Sequence, residues 1–239
     1  MNAALRFPLW AVARHRLATD GAGVTTLVAA HGCPLRCKWC INPRGLEAAT
    51  PVEAVDARAL YERLRVDDLY FQATGGGVTF GGGEPLLHAR FIREFRRLCQ
   101  DKWRICAQTS LNIPEACART AAKCVDEFIV DIKDMNPGIY RSYTGADNAL
   151  VLRNLDALLR KVDPRRIRVR VPRIPGFNGE ADVQASVRRL RAMGVERLEV
   201  FSYRVPEGAQ RAQPGQPHAQ APALCQSAGG VPPAGKRAP

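Results

Sequence analysis

Val24-Thr-Thr-Leu-Val-Ala-Ala30 runs directly into His31-Gly-Cys33-Pro-Leu-Arg-Cys37-Lys-Trp-Cys40-Ile-Asn-Pro43. The first seven residues are short, apolar and rich in β-branched side chains, which predicts a buried strand. A cysteine- and proline-rich loop, Gly32–Pro43, follows it. Downstream the pattern alternates. Asp56–Arg65 predicts an amphipathic helix, Gly77–Phe80 a short strand entering a turn at Gly81–Gly83, and His88–Gln100 a helix with apolar positions at Phe91, Ile92, Phe95 and Leu98. Arg104–Gln108 reads as a strand, Pro114–Lys123 as a helix with proline in its first turn, and Glu127–Ile132 as a strand. Ala149–Lys161 is a periodic helix, Ile167–Val171 a strand of period two, Asp182–Met193 a helix closed by Gly194, and Arg197–Phe201 a last strand. Five or six strands alternating with helices predict an α/β fold around a parallel sheet, curled or open. Chemistry in such folds gathers at the carboxyl ends of the strands. The cysteine loop and the glycine turn each follow a strand, so both should lie on that face.

Composition bounds the rest. The 239 residues are 46% hydrophobic and 24% charged, which excludes a disordered or collagen-like chain. No apolar run reaches the length of a membrane span. The N-terminal MNAALRFPLWAVARHR lacks an apolar core followed by a cleavage site, so a cytoplasmic protein is expected. Lys and Arg number 35 against 23 Asp and Glu, a net charge of +12. Arginines spread along the whole length, with no recognition motif beside them, read as a solvated basic face rather than a nucleic-acid surface. Val205–Pro239 holds seven of the 17 prolines and no apolar period, so residues 1–204 should form the folded domain and 205–239 a disordered Pro/Ala/Gln-rich tail.

Three segments carry chemistry. Cys33, Cys37 and Cys40 form a C-x3-C-x2-C loop. Thiolates are soft ligands, and three on one short loop suit three irons of a [4Fe–4S] cubane, leaving the fourth iron open. Zinc is the alternative, but it needs a fourth ligand, for which His31 is the only neighbour. Val78-Thr-Phe-Gly-Gly-Gly-Glu84-Pro85 lacks the G-K-[ST] of a phosphate loop; its bare backbone and carboxylate suit an ammonium group, or a tight turn alone. Asp131 and Lys133 alternate onto one side of their strand, where burial requires a pair or a ligand. Cys99, Cys106, Cys117 and Cys124 are spaced 7, 11 and 7, which is not cluster spacing, and read as buried structural cysteines.

Taken together, GCPLRCKWCINP (Gly32–Pro43), GGGVTFGGGEPLL (Gly75–Leu87), DIKDMNP (Asp131–Pro137), YTGADNALVLRNL (Tyr143–Leu155) and RVPRIPGFN (Arg170–Asn178) resemble the radical S-adenosylmethionine (SAM) enzymes, and among them the glycyl-radical-enzyme activases of the pyruvate formate-lyase activating type. The likeness spans Arg16 to Tyr203. It implies a partial (β/α)6 barrel. It implies that Cys33, Cys37 and Cys40 hold a [4Fe–4S] cluster whose open iron takes the amino and carboxylate groups of SAM. Trp39 would lie beside the adenine, Gly82, Gly83 and Glu84 would meet the amino group, and Lys133 would face the carboxylate with Asp131 in the same site. Arg170 matches the arginine before the family's PG turn. One electron would split SAM into methionine and a 5′-deoxyadenosyl radical, which takes an α-hydrogen from a glycine of a partner enzyme. The partners implied are a glycyl radical enzyme and a flavodoxin or ferredoxin as reductant, under anaerobic conditions.

The chain departs from that family in three places. Asn42–Asp67 holds no cysteine where many activases insert an eight-cysteine ferredoxin segment. Gln108-Thr109 stands where the family often has an Asp–Thr pair at a monovalent cation site. Beyond Tyr203 the likeness stops, before the family's further βα segment and its SAM-contacting histidine. Competing readings are a radical SAM enzyme acting on a small molecule, an activase of anaerobic ribonucleotide reductase, a basic zinc module, and a non-catalytic remnant.

Overall fold

The computed structural model describes residues 5–17 and 19–203; the expected disordered tail lies outside them. In chain order the elements are β1 (Phe7–Leu17), β2 (Val24–Ala30), β3 (Glu53–Val55), α1 (Ala57–Leu64), α2 (Asp68–Thr74), β4 (Gly77–Gly82), α3 (Ala89–Cys99), β5 (Arg104–Thr109), α4 (Glu115–Ala121), β6 (Glu127–Asp131), α5 (Pro137–Thr144), α6 (Ala149–Leu159), β7 (Ile167–Arg173), α7 (Glu180–Ala192) and β8 (Arg197–Ser202), with single-turn helices between some of them. Among the described residues the eight strands form one sheet in the order β3-β1-β2-β4-β5-β6-β7-β8. β2 and β4 to β8 run parallel, while β1 is antiparallel to both its neighbours.

Alternation along the strands sorts the sheet into two faces. Val28, Val78, Phe80, Ile105, Ala107, Phe128, Val130, Val169 and Val171 are fully buried and form one core with Phe91, Ile92 and Phe95 of α3, Val151 and Leu155 of α6, and Val183 and Leu190 of α7. The other face carries Thr79, Cys106, Gln108, Glu127, Asp131, Arg168 and Arg170. Register sets Asp131 opposite Arg170, and Arg168 opposite Arg197. The polar face curls inward: the hydroxyl of Tyr203, just past β8, donates to the carbonyl of Trp39, in the loop after β2, although four strands stand between them in the sheet.

The expected count of five or six strands is too low. The sequence pattern predicts none of β1, β3, α2 and α5. β1 lies at the antiparallel flank and is mostly half-buried, so Arg14-His15-Arg16 interrupts any clean alternation. β3 is three residues long and is defined only by pairing with Phe7–Leu9. α5 is a short helix that depends on Pro137 in its first turn and on Asn136, whose side chain accepts the Gly138 N–H at 2.9 Å. The remaining expected strands and helices are present with ends shifted by a few residues, as is usual at element ends.

Candidate functional site

The cysteine loop is seated by backbone hydrogen bonds from the glycine turn. Gly83 N–H donates to Ala30 at 2.9 Å and Glu84 N–H to Gly32 at 2.8 Å, so the loop after β2 and the turn after β4 extend their strands' pairing. Here the glycine is a steric requirement: a Cβ on Gly83 would stand 2.0 Å from the Gly32 carbonyl oxygen. From the other side α5 presents its last carbonyls. Arg36 N–H donates to Thr144 at 2.9 Å and Lys38 N–H to Tyr143 at 3.0 Å. Tyr143 Oη also donates to Trp39 O, at 3.5 Å, the carbonyl that Tyr203 shares. Asn42 Nδ2 reaches Gly82 O at 3.4 Å, and the Trp39 indole N–H reaches Pro175 O at 3.4 Å. The loop thus touches the ends of β4, α5, β7 and β8.

Cys33, Cys37 and Cys40 are free thiols, each half-buried. Burial, reinforced by the charge of Glu84, pushes the Cys33 thiol up to about 12. Burial pushes Cys37 up to about 11 against the pull of the Lys133 ammonium, and it raises Cys40 as well. Burial thus disfavours bare thiolates here, a cost that a bound metal would offset. Among the described residues no three His, Cys, Asp or Glu side chains are arranged to hold a single metal ion. A cubane does not ask for that convergence, because each thiolate binds a different iron. Three soft donors on one loop, each in electrostatic reach of another, with a lysine facing Cys37, fit a [4Fe–4S] cluster. His31 does not join them, since its Nε2 lies 3.0 Å from Glu47 O.

Beside the thiols stands a charged triad. The Asp131 carboxylate accepts Arg170 Nε at 2.7 Å on Oδ1 and Lys133 Nζ at 3.1 Å on Oδ2. β6 supplies Asp131, the residue two beyond it supplies Lys133, and β7 brings Arg170 across by register. Burial opposes the charge on Asp131, but Lys133 and Arg170 overcome it and hold the carboxyl below its usual range. Burial likewise opposes the charges of Lys133 and Arg170, and Asp131 raises both. Two cations on one anion leave the site positive, which suits a ligand carboxylate.

Glu84 is committed elsewhere. Its fully buried carboxylate accepts Thr109 Oγ1 at 2.7 Å, Ser110 N at 2.9 Å, Ser110 Oγ at 2.7 Å and Leu86 N at 3.2 Å. These four bonds occupy a carboxylate's acceptor sites, tie the end of β4 to that of β5, and leave Gly82 and Gly83 to present bare backbone. Burial raises the Glu84 carboxyl although the donors oppose it. Gln108 donates to Asp20 at 2.8 Å, so its amide is bound inside the sheet. Cys99, Cys106, Cys117 and Cys124 are all buried, as expected. Sequence reasoning gave no role to Ser110, Tyr143 or Tyr203. Tyr143 opens one of the motifs, but nothing in spacing alone says that its hydroxyl reaches the cysteine loop.

Comparison with known proteins agrees with this architecture. Residues 27–196 match the Radical SAM superfamily. The (2S)-3-sulfopropanediol dehydratase activating enzyme of Klebsiella oxytoca is 28% identical over 222 positions, covering 67% of this chain and 69% of its own. The pyruvate formate-lyase-activating enzyme of Clostridium pasteurianum is 29% identical over 191 positions, covering 77% of each chain. Pyruvate formate-lyase 2-activating enzyme of Escherichia coli is 27% identical, covering 77% of this chain and 73% of its own. Since 67% of 239 residues is 160, about 62 of the 222 Klebsiella positions face gaps here, and the Clostridium alignment has far fewer. Among solved structures, Streptococcus suis SuiB bound to S-adenosylmethionine superposes with a TM-score of 0.60 at 14% identity, over 80% of this chain; the chain spans about two fifths of SuiB, 43%.

Proposed function

The chain belongs to the radical SAM superfamily, and from that premise we propose that it is a glycyl-radical-enzyme activase: a [4Fe–4S] enzyme that cleaves SAM reductively and installs a radical on a glycine of a protein partner. The observation that carries the reading is the meeting of the three-cysteine loop with Lys133 across the strand ends, where Lys133 is held by Asp131 and Asp131 by Arg170. The relatives named above, each an activating enzyme, support the reaction class. The gaps against the Klebsiella protein, with no cysteine in Asn42–Asp67, support a single-cluster activase.

When bound and reduced, the cluster supplies the electron that splits SAM into methionine and a 5′-deoxyadenosyl radical able to take a hydrogen atom from a glycine α-carbon. The protein's part is binding and orientation. Cys33, Cys37 and Cys40 would hold the cluster. Lys133 would take the SAM carboxylate, with Asp131 and Arg170 fixing its ammonium. The backbone of Gly82 and Gly83 would take the amino group, while Glu84 braces that backbone from behind. Trp39, tethered to Pro175 through its indole nitrogen, would flank the adenine. A flavodoxin or ferredoxin would deliver the electron, and residues 1–204 would be the catalytic domain.

The test is anaerobic. Protein reconstituted with iron and sulfide, reduced with dithionite and given SAM should form 5′-deoxyadenosine, and a glycyl radical should appear by EPR when pyruvate formate-lyase or a related partner is added. SAM cleavage with no radical on any of a panel of glycyl radical enzymes would move the protein to a small-molecule substrate. Zinc retention with no cluster would overturn the superfamily chemistry altogether.

A further inference from the structure

Among the described residues four buried side-chain atoms have no hydrogen-bond partner: Trp10 Nε1, Arg104 Nε, Asn154 Oδ1 and Tyr140 Oη. Such atoms are rare in folded proteins, because they give up water and receive nothing in return. Arg104 and Asn154 are bonded through their other side-chain atoms, Arg104 to Glu127 and Asn154 to the carbonyls of Leu111 and Ile113. Trp10 is only half-buried. Tyr140 is fully buried, and the hydroxyl is its one polar side-chain atom. It lies on α5, one turn before Tyr143 and Thr144, whose carbonyls receive the Arg36 and Lys38 N–H groups of the cysteine loop. Its backbone is satisfied: the N–H donates to Asn136 at 2.9 Å and the carbonyl accepts Thr144 Oγ1 at 2.8 Å. Its ring belongs to the core cluster against which Cys33 and Cys37 pack. Burial pushes the phenol up, and the charges of Cys37, Cys33 and Glu84 push it further, so the hydroxyl keeps its proton and remains a donor. Glu84 is already occupied by its four donors from β5 and its own turn. That leaves the sulfur side as the place for an acceptor.

Resting on the reading that this loop holds a [4Fe–4S] cluster, we propose that Tyr140 Oη donates a hydrogen bond to a sulfur of the bound cluster beside Cys37 and so sets how readily the cluster accepts its electron. Hydrogen bonds to the sulfurs are among the levers that fix a cluster's reduction potential. An added electron makes the sulfurs more negative. A donor aimed at them therefore stabilises the reduced state more than the oxidised one and raises the potential. The phenol keeps its proton throughout; one electron enters the cluster, and no covalent bond forms or breaks. In the apoprotein the hydroxyl stays unpaired, and cluster insertion supplies its acceptor.

The test is an anaerobic redox titration of the reconstituted protein and of Tyr140→Phe, which keeps the ring and removes only the hydroxyl. Iron and sulfide content should equal the wild type. At a fixed potential, set by dithionite and mediator dyes and read by EPR, the ratio of reduced to oxidised cluster should fall about tenfold, a midpoint lower by about 59 mV for one electron. Electron–nuclear double resonance of the reduced cluster, before and after exchange into D2O, should show an exchangeable proton in the wild type that the variant lacks. Without the cluster, Tyr140→Phe should melt no lower than the wild type, because the hydroxyl has no partner to lose. Tyr61→Phe, on α1 with its ring stacked on Trp103, should match the wild type in midpoint and in proton coupling. Equal midpoints with an unchanged coupling in Tyr140→Phe would overturn the hydrogen bond. So would an apoprotein variant that melts well below the wild type, since the hydroxyl would then have an acceptor within the fold. A lower midpoint that comes only with lost iron would overturn it too, and would assign Tyr140 to holding the loop in shape. A wild-type protein that takes up no cluster would instead remove the reading on which the proposal rests, an outcome distinct from a full cluster whose potential ignores Tyr140.

Discussion

β6 begins with Glu127 and ends with Asp131, two carboxylates on the same inward face four residues apart, and their surroundings differ sharply. Glu127, 1% exposed, is clamped by Arg104 at 3.3 Å, Arg168 at 2.9 Å and Arg197 at 3.1 Å. Those arginines come from β5, β7 and β8, so one carboxylate ties four strands together at their amino ends. Among the described residues Asp131 holds only Arg170 and Lys133, and next to that pair are three free thiols. The amino ends of the strands spend their charges on one another. The carboxyl ends leave a lysine, bare glycine backbone and soft sulfur directed to a shared place. A curled sheet with one rim clamped by ion pairs and the other left for the proposed chemistry follows from this arrangement. Substitutions at the two rims should therefore fail in different ways.

The largest effect belongs to the thiols. Cys37→Ser keeps size but replaces a soft ligand with a hard, weakly acidic hydroxyl, so SAM cleavage should drop by at least about a thousandfold with the iron content halved or worse. The circular dichroism spectrum should not change. A variant that retains a full cluster would show that the loop is not the ligand set and would erase the contrast between the rims. At the other rim, Glu127→Gln leaves three guanidiniums without their anion. Because the arginines remain partly hydrated, the cost should be about 3 kcal/mol, or roughly 6–12 °C in Tm for a domain of this size. The KM for SAM should not move. Lys133→Met should do the reverse: Asp131 keeps Arg170, so Tm should fall by only about 2 °C, while the lost charge-assisted contact raises the KM for SAM roughly 30-fold. If Glu127→Gln moved KM as far as Lys133→Met does, the two rims would be energetically one unit.

Much of this contrast is legible in the sequence. The cysteine loop, the glycine turn and Asp131/Lys133 fell at strand ends because the strands feeding them are short, apolar and β-branched, and period two fixes which residues share a side. The clamp on Glu127 was not legible. It depends on which of many arginines share a register row, and a chain with arginines throughout gives no hint of that. The antiparallel flank escaped for a related reason, since β3 exists only as a pairing partner of β1. Glu84 shows a third limit. GGGE after a strand signals close backbone approach correctly, but whether the carboxylate faces a ligand or the fold is decided by Thr109 and Ser110, 25 and 26 residues away.

Acid should sharpen the comparison. Lys133 and Arg170 hold the Asp131 carboxyl below its range in the unfolded chain. Its ionised form therefore contributes stability above the unfolded value, near 4, and that contribution is lost as pH falls through the lower folded value. Asp131→Asn should be about 2 kcal/mol less stable than the wild type at pH 7, and the gap should close on acidification below about pH 4. Chemical denaturation across that range measures it. A gap that stays constant into strong acid would mean that Asp131 acts through packing rather than charge.

The smallest effect concerns the bond that draws the last strand to the cysteine loop. Trp39 O accepts from two hydroxyls, Tyr143 and Tyr203, and the next residue is Cys40. Tyr203→Phe keeps the ring and removes one donor, so about 1 kcal/mol should be lost and the KM for SAM should rise about threefold as the Trp39–Cys40 peptide loosens. Because both donors serve one acceptor, either alone can satisfy it. Tyr143→Phe should then be equally mild, and the double variant should cost more than the sum of the two, since only then does the part-buried Trp39 carbonyl lose both donors. A double-mutant cycle on Tm and on KM reads this directly. Strict additivity would show that the two tyrosines act independently, and that closure of the curled sheet onto the cysteine loop rests on contacts other than this shared carbonyl.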